Sequence, residues 1–416
     1  MAQLTDDCFV HGGALLSVED AATLVIARVP VLEGEEDVTL ATARGRVLAR
    51  DLHAPQPLPP FFNSAVDGYA FRHADLRPGE DTPLRLEGRL AAGQVPDAAL
   101  APGTALRILT GAPMPPGADT VMMQEDARLE AGTLRLPPGL KHGANCRPAG
   151  EDVAQGELAL PVGTRLGPAE IGLAAALGFA TLPARRRPRI GVFSTGDELA
   201  TPGTALTAAQ TYDSNRFSLL ALLAGLPVEA FDLGILPDRA GATEAALRDA
   251  AARHDMLLTS GGVSTGEEDH VRAALQSGGS LVFWKLALKP GRPAAMGVMG
   301  GTPVLGLPGN PVAAIVTFLH LARPLALRLA GANPAPLPRF AATADFHYRK
   351  KAGRREYVRV ALSTGTLVPV ARKYPREGAG LLTSLTRSDA FVELPEAVTA
   401  VAPGDSVAVI PFSSAF

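Results

Sequence analysis

The sequence predicts a multidomain protein of α/β plus β type, in which a central α/β unit with a mainly parallel sheet is flanked by β-rich units. Three observations carry this prediction. Apolar runs near 189–194, 228–234, 255–260, 281–288 and 303–307 alternate with helical patterns near 213–225, 241–253, 267–277 and 311–329, which is the signature of βαβ units. Residues 54–147 instead show short alternating runs such as "LRLEGRL", "ALRILTG", "TVMMQED" and "TLRLPPG", cut by Pro and Gly. Beyond the Pro-rich "GANPAPLP", the runs "REYVRVAL", "GTLVPVAR", "DAFVELP" and "DSVAVIPF" return to a strand pattern, as a small barrel or sandwich of about 80 residues would. At 416 residues the chain exceeds what one ordinary core accommodates.

The elements follow in order. Around residues 16–29, "SVEDAATLVIARVP" has a Ser followed three residues later by Asp and then apolar residues at helical spacing, a capped helix start. Residues 44–53 are expected to form a second helix. "RLGPAEIGLAAALG", near 165–178, returns to helix, and the two helical regions are expected to pack together with the β unit inserted between them. Within the α/β unit, nearly continuous apolar strands such as "MLLTS" fit burial on both sheet faces.

Composition excludes several classes. Hydrophobic residues make up 47% and charged residues 19%, so there is ample core material, and the formal net charge of −3 leaves no basic face for general nucleic-acid or membrane-surface binding. The N-terminus "MAQLTDDCFVHGG" carries acids where a secretory signal has Lys or Arg. His320, Arg323, Pro324 and Arg328 interrupt the longest apolar stretch, which argues against a membrane span. A cytoplasmic location is expected. Cys8 and Cys146 are far apart without metal-ligand spacing and read as free, inert thiols.

In an open α/β sheet, ligands bind outside the carboxyl ends of the strands. Four loops there stand out: "STGDEL", "LPDRA", "SGGVSTGEED" and "GLPGNP". Asp197 and Asp238 each have an ordinary turn or capping explanation, yet Glu198, Asp238 and Asp269 lie at successive strand ends, where carboxylates can converge on Mg²⁺. In "SGGVSTGEED", Ser260, Gly261 and Gly262 form a candidate backbone cradle for an anion. Thr265 with Glu268 reads as a capping box, which leaves Asp269 as the acid without a structural explanation. Only six of the 39 basic residues are lysines, yet Lys285 and Lys289 fall four apart in "LVFWKLALKPGRP". In one strand they would share a face about 13 Å apart, with Arg292 adding another cation. Pro308, Gly309, Asn310 and Pro311 make a stiff loop before a long apolar helix. Asp67-Gly68 and Thr110-Gly111, taken singly, are turn signals.

Together, "NSAVDGYA", "LTGAPMPPGADTV", "STGDEL", "SGGVSTGEED", "FWKLALKPGRP", "GLPGNPV", "GRREYVRV" and "GLLTSLTRSDAFVELP" closely resemble the molybdopterin molybdenumtransferase family, in family order and over nearly the whole chain. The resemblance implies four parts: a discontinuous helical domain (1–53 and 148–184), an inserted β-rich domain (54–147), a molybdopterin-binding αβα domain (185–332) and a C-terminal β-barrel (333–416). It implies a homodimer in which the third domain of one subunit faces the second domain of the other. The implied reaction takes adenylylated molybdopterin and molybdate, with Mg²⁺, and releases AMP. A molybdopterin adenylyltransferase would be the pathway neighbour.

The resemblance assigns Glu198, Asp238 and Asp269 to the divalent ion and the nucleotide part, and Ser260, Gly261 and Gly262 to the cradle. Lys285 and Lys289 would neutralise phosphate or molybdate. Asp67, Thr110, Arg147 and Asp152 match functional positions of the first two domains, Pro308 and Pro311 shape the ligand loop, and Arg354 with Ser384 would face the site from the barrel. Ala313 stands where the family commonly has Ser, which would pass any hydroxyl role to backbone amides, Arg292 or Ser384. The alternative readings are an adenylyltransferase-type enzyme, which is typically one short domain, and a dimeric scaffold without turnover.

Overall fold

A computed structural model describes residues 16–236, 239, 241–261, 270–291, 293–333, 336–363 and 365–416. Its centre is a six-stranded sheet built from β1 (Arg189–Thr195), β2 (Glu229–Leu236), β3 (Met256–Ser260), β4 (Ser280–Lys285), β5 (Pro293–Met299) and β6 (Thr302–Leu307), in the order β2-β1-β3-β6-β5-β4. β1 pairs in parallel with β2 and β3, and β3 with β6; β5 runs antiparallel to both β4 and β6. The sequence pattern missed β5. "PAAMGVM" is followed at once by Gly300-Gly301, with φ of +57° and +90°, so its pairing with β6 is set by a tight hairpin rather than by a helical crossover.

Both faces of this sheet are covered, as the continuous apolar strands predict. All five residues of β3 are buried. One face packs Phe193, Leu257 and Val304 against Leu247, Val271 and Leu275 of the helices Ala242–Arg253 and His270–Gly278. On the other face Val192, Leu258 and Leu305 meet Leu219 and Leu223 of the helix Asn215–Ala224, together with residues of the helical run Pro311–Leu329. That run has a mean hydropathy of 1.5 and the length to cross a membrane, but 78% of it is buried inside the protein. Its apolar surface is spent on the core.

The same core takes in Val18, Ala21 and Val29 from the first helix, Val18–Arg28, and Tyr357, Phe391 and Ile410 from the C-terminal unit. The capped start of that helix is as predicted: the Ser17 hydroxyl donates to Asp20 Oδ2 at 2.6 Å and accepts the Asp20 N–H at 3.0 Å. The expected packing of this helix on the one near 165–178 is not what forms. The helix Pro168–Ala176 contributes Ala174 to a separate cluster with Val38, Leu48, Leu52, Leu166 and Leu182. Nor do residues 44–53 form a helix. Val47 and Leu48 make antiparallel bridges to Arg165 and Ala184, and Leu52–His53 pairs with Leu158–Leu160. Partners more than a hundred residues away override the local periodicity.

Residues 68–136 carry a second six-stranded sheet, ordered Thr120–Met123, Gly68–Phe71, Thr104–Ile108, Thr82–Leu90, Thr133–Leu136 and Arg128–Glu130. At the C-terminus, Arg355–Ser363, Val370–Lys373, Phe340–Ala344, Ser406–Pro411 and Ala390–Leu394 close on themselves, the last pairing back with the first. This five-stranded barrel leaves no free edge around its ring. It is welded to the α/β unit by Leu288–Lys289, which pair in parallel with Arg355 and Glu356.

Candidate active site

The carboxyl ends of β1, β3 and β6 open onto a cavity of about 280 Å³ lined by Ser194, Thr195, Glu198, Tyr212, Asp213, Asn215, Ser260, Gly261, Gly309 and Pro311, with Gly380 and Leu382 from the barrel. This is where the topology of an open parallel sheet places ligands. Gly261 has a φ of +91°, and a Cβ there would lie 2.8 Å from the Thr195 carbonyl; only glycine lets β3 turn away this close to β1. The donors of this part of the cradle are already committed. The Gly261 N–H donates to Leu307 O at 3.1 Å, and the Ser260 hydroxyl lies 3.5 Å from Pro308 O. Ser260 and Gly261 thus shape the cavity, while the buried Thr195 hydroxyl beside them has no hydrogen-bond partner among the described residues. Glu198 stands exposed at the mouth, its carboxylate folded back over Gly196.

A buried charge network supports this floor. Asp213, 2% exposed, accepts the Ser194 hydroxyl at 3.1 Å, the Arg216 N–H at 3.2 Å and Arg216 Nε at 2.8 Å. Arg216, 3% exposed, also pairs with Asp232 on β2. Burial works against the guanidinium charge, and the two aspartates outweigh it. Asp213 therefore caps the helix Asn215–Ala224 from outside and holds its first turn over the strand ends.

A second cavity of about 410 Å³ lies between the α/β unit and the barrel, lined by Lys289, Pro290, Gly291, Pro308, Asn310 and Ala313 on one side and by Tyr348, Tyr357, Arg359, Lys373, Tyr374, Arg376 and Glu377 on the other. The loop 308–311 and the segment 376–382 contribute to both cavities and form the partition between them, tied by the Val312 N–H to Ala379 O at 2.9 Å. Lys289 Nζ lies 3.2 Å from Glu356 Oε2 and 3.3 Å from the Tyr348 hydroxyl. Lys289 and Lys373 approach the Tyr348 ring at 5.7 and 5.5 Å from its centroid. Four cations against one lining carboxylate make this the electropositive cavity.

Glu356 is 1% exposed. Burial raises its pKa, but the Tyr348 and Arg354 hydrogen bonds and the Lys289 charge prevail and hold it below the usual 4.5. Glu393 behaves alike, with Arg339 and Tyr357 outweighing burial. Carboxyls that titrate lower in the folded state stabilise it above 4.5, and that contribution is lost as pH falls through the folded values. His320, stacked 4.6 Å from Tyr357, is pushed by burial from 6.5 down to about 4. It adds in the same direction, because the unfolded chain gains a proton first. The thermal midpoint should decline below pH 6.5 and more steeply below 4.5, with His320→Phe flattening the upper limb. A midpoint insensitive to pH over that whole interval would contradict this account.

The structure places the remaining predicted residues as follows. Asp67 and Thr110 meet directly: Asp67 Oδ1 accepts the Thr110 N–H at 2.8 Å and its hydroxyl at 2.7 Å. The Thr110 backbone bond, then its hydroxyl, lowers the Asp67 pKa. Arg147 pairs with Asn63, and the Asp152 N–H donates to Leu58 O at 2.9 Å, so the stretch 58–67 gathers all four residues. None of the four lines either cavity. Asp238, Gly262, Asp269 and Arg292 lie outside the described residues, as do Thr265 and Glu268. Lys285 ends β4, and its side chain is likewise outside the description; Lys289 belongs to the barrel's sheet, so the two lysines do not share one strand face. The chain leaves β4 at Leu286, which bridges to Leu16.

Two barrel expectations are revised. Arg354, just before the strand Arg355–Ser363, donates through Nε to Glu356 Oε1 at 2.7 Å and lines neither cavity, whereas Arg359 within that strand does. Ser384 is fully buried, with its hydroxyl on Leu381 O at 2.5 Å. Sequence reasoning passed over Asp213, Asn215, Arg216, Tyr348, Arg359 and Lys373. The polar run "YDSNR" ahead of an apolar helix was the available signal for the first three. Half-buried Cys146 is pushed up to about 11 by burial and is inert.

Family models match the chain in series: the MoeA N-terminal region (domain I and II) over residues 16–178, a probable molybdopterin binding domain over 191–328 and the MoeA C-terminal region (domain IV) over 341–412. The molybdopterin molybdenumtransferase of Haemophilus influenzae is 37% identical over 402 residues, covering 96% of this chain and 99% of that protein. The chain belongs to the molybdopterin molybdenumtransferase family. A second family member, from Nostoc, is 34% identical and covers 95% of this chain and 93% of its own length. A crystal structure of a molybdopterin biosynthesis MoeA protein from Pyrococcus horikoshii superposes with a TM-score of 0.82 at 28% identity, over 96% of this chain and all of that one. Both cavities draw on the segments matched by the molybdopterin-binding and C-terminal models.

Proposed function

We propose that this protein catalyses the molybdenum-inserting step of molybdenum cofactor biosynthesis, taking adenylylated molybdopterin and molybdate and releasing AMP. The observation that carries the reading is the pair of adjoining cavities sharing the 308–311 partition. One sits at the strand ends, where phosphate-bearing ligands bind; the other offers Lys289, Arg359, Lys373 and Arg376 to an oxyanion. Water adds to the phosphoanhydride and AMP leaves, and molybdate takes the two dithiolene sulfurs in place of an oxo group, which departs as water with the two thiol protons. Fixed positive charge and positioning account for the acceleration, with no protein nucleophile.

Mg²⁺, a hard cation that takes oxygen ligands, would be held by carboxylates at the strand ends. Glu198 presents its carboxylate at the mouth of the smaller cavity beside the Thr195 hydroxyl, which has no partner among the described residues, and Asp238 and Asp269 would complete the set. When bound, the ion would neutralise charge on the anhydride oxygens. The chain's own part is to bind, to orient and to keep the leaving AMP in place.

Asp67, Thr110, Arg147 and Asp152 stand apart from both cavities, which supports a homodimer whose partner brings this cluster to the site. We place the enzyme in the cytoplasm, downstream of a molybdopterin adenylyltransferase. The test is AMP release from adenylylated molybdopterin with molybdate and Mg²⁺. Asp67→Ala and Asp269→Ala subunits should each be inactive alone and regain part of the turnover when mixed, because one composite site is then intact. A folded wild-type dimer without AMP release would sink the enzymatic reading. Active wild type with no complementation would sink only the shared site.

A further inference from the structure

We propose that Asn215 is a positioning residue that locks the strand-end cradle to the partition loop, an inference that rests on the reading of the smaller cavity as the nucleotide-bearing site. Asn215 is the first residue of the helix Asn215–Ala224 and is 8% exposed. Its Nδ2 donates to Ser260 Oγ at 2.8 Å and to the Gly309 carbonyl at 2.7 Å. Gly309 O can only accept, so the amide must present its NH₂ end here, and both protons are used. Ser260 Oγ, having accepted from Asn215, has its own proton left for Pro308 O, 3.5 Å away. One side chain thus joins three separate segments around one cavity: the helix start, the end of β3 and the loop after β6.

Among the described contacts, Asn215 alone donates to both Ser260 and Gly309. Gly309 and Pro311 face the smaller cavity, whereas Pro308 and Asn310 face the larger one. Fixing Gly309 therefore fixes the spacing between the two ligands. The network from Asp213 and Arg216 anchors the helix start, so that Asn215 transmits a rigid reference to a loop whose Pro308 and Pro311 have no N–H to donate.

Asn215→Ala removes both donors. In the ligand-free protein, amide exchange should rise at Gly261 and Val312, whose N–H groups donate to Leu307 O and Ala379 O, while the barrel strands stay protected. In turnover, kcat for AMP release should fall on the order of 100-fold, the scale expected when reacting groups are misplaced by about an ångström, with KM for molybdate unchanged. Unchanged exchange at Gly261 and Val312, or unchanged kcat in a folded variant, would overturn the proposal. Because the exchange result needs no substrate, it stands or falls separately from the enzymatic reading. Should the Ala variant fail to fold, Asn215→Ser keeps one donor and should show a partial kcat loss. Unfolding of both variants would leave Asn215 a purely structural residue and refute the positioning role.

Discussion

Arg216→Ala is expected to cost roughly 3–5 kcal/mol, the penalty for leaving a buried charge without its partner. Asp213 would keep the Ser194 hydroxyl and one backbone N–H but lose its only cation among the described contacts, at 2% exposure. Asp232 on β2 would lose its partner too, and the Phe217 ring its guanidinium at 4.7 Å. In the α/β unit this loss corresponds to a fall on the order of 10 °C in the midpoint of its transition. Replacing both partners with apolar residues of similar size, as in Arg216→Met with Asp213→Leu, should recover much of the loss, because the unpaired charge disappears. Recovery in the double variant separates a charge penalty from simple loss of packing. If the single change cost less than about 1 kcal/mol, the pair would belong with weak surface ion pairs, despite its burial.

That network shows where sequence reading succeeds and where it stops. The strands Met256–Ser260 and Thr302–Leu307 were legible because burial on both faces forces continuous apolar runs, and the helix at Val18 was legible because Ser17 and Asp20 signal it locally. Residues 44–53 misled because helical periodicity in Val47 and Leu48 serves equally for bridges to Arg165 and Ala184. Lys285 and Lys289 looked like one face because nothing local marks the break at Leu286, whose partner is Leu16. Asp213 and Asn215 resemble ordinary helix-start residues, and their roles depend on Ser194, Ser260 and Gly309, which arrive from other strands and from the loop after β6. Arg354 just precedes the barrel strand that carries Arg359, and only the seating of the barrel on Leu288–Lys289 decides which of them reaches the cavity. Local signals were read; contacts between distant segments had to be seen.

Lys289→Met should raise KM for molybdate roughly 10- to 100-fold, the equivalent of one hydrogen bond to a charged group, with a smaller change in kcat. Lys289 is the lysine that both lines the electropositive cavity and sits on the strand joining the two units. Its side chain is 44% exposed, so the ammonium can turn from Glu356 to an incoming oxyanion. Glu356 would not be orphaned by the change, since Arg354 Nε and the Tyr348 hydroxyl both remain on it at 2.7 Å. The loss should therefore appear in ligand binding and not in the unfolding midpoint. Lys373→Met should do less, because that ammonium already donates to Glu377 at 2.7 Å, and Arg354→Met should leave KM unaltered. Added salt should weaken molybdate binding in the wild type more than in Lys289→Met, as a shared electrostatic contribution requires. A variant with normal KM and depressed kcat would instead put the lysine on the phosphoanhydride, and the larger cavity would lose its assignment to the oxyanion.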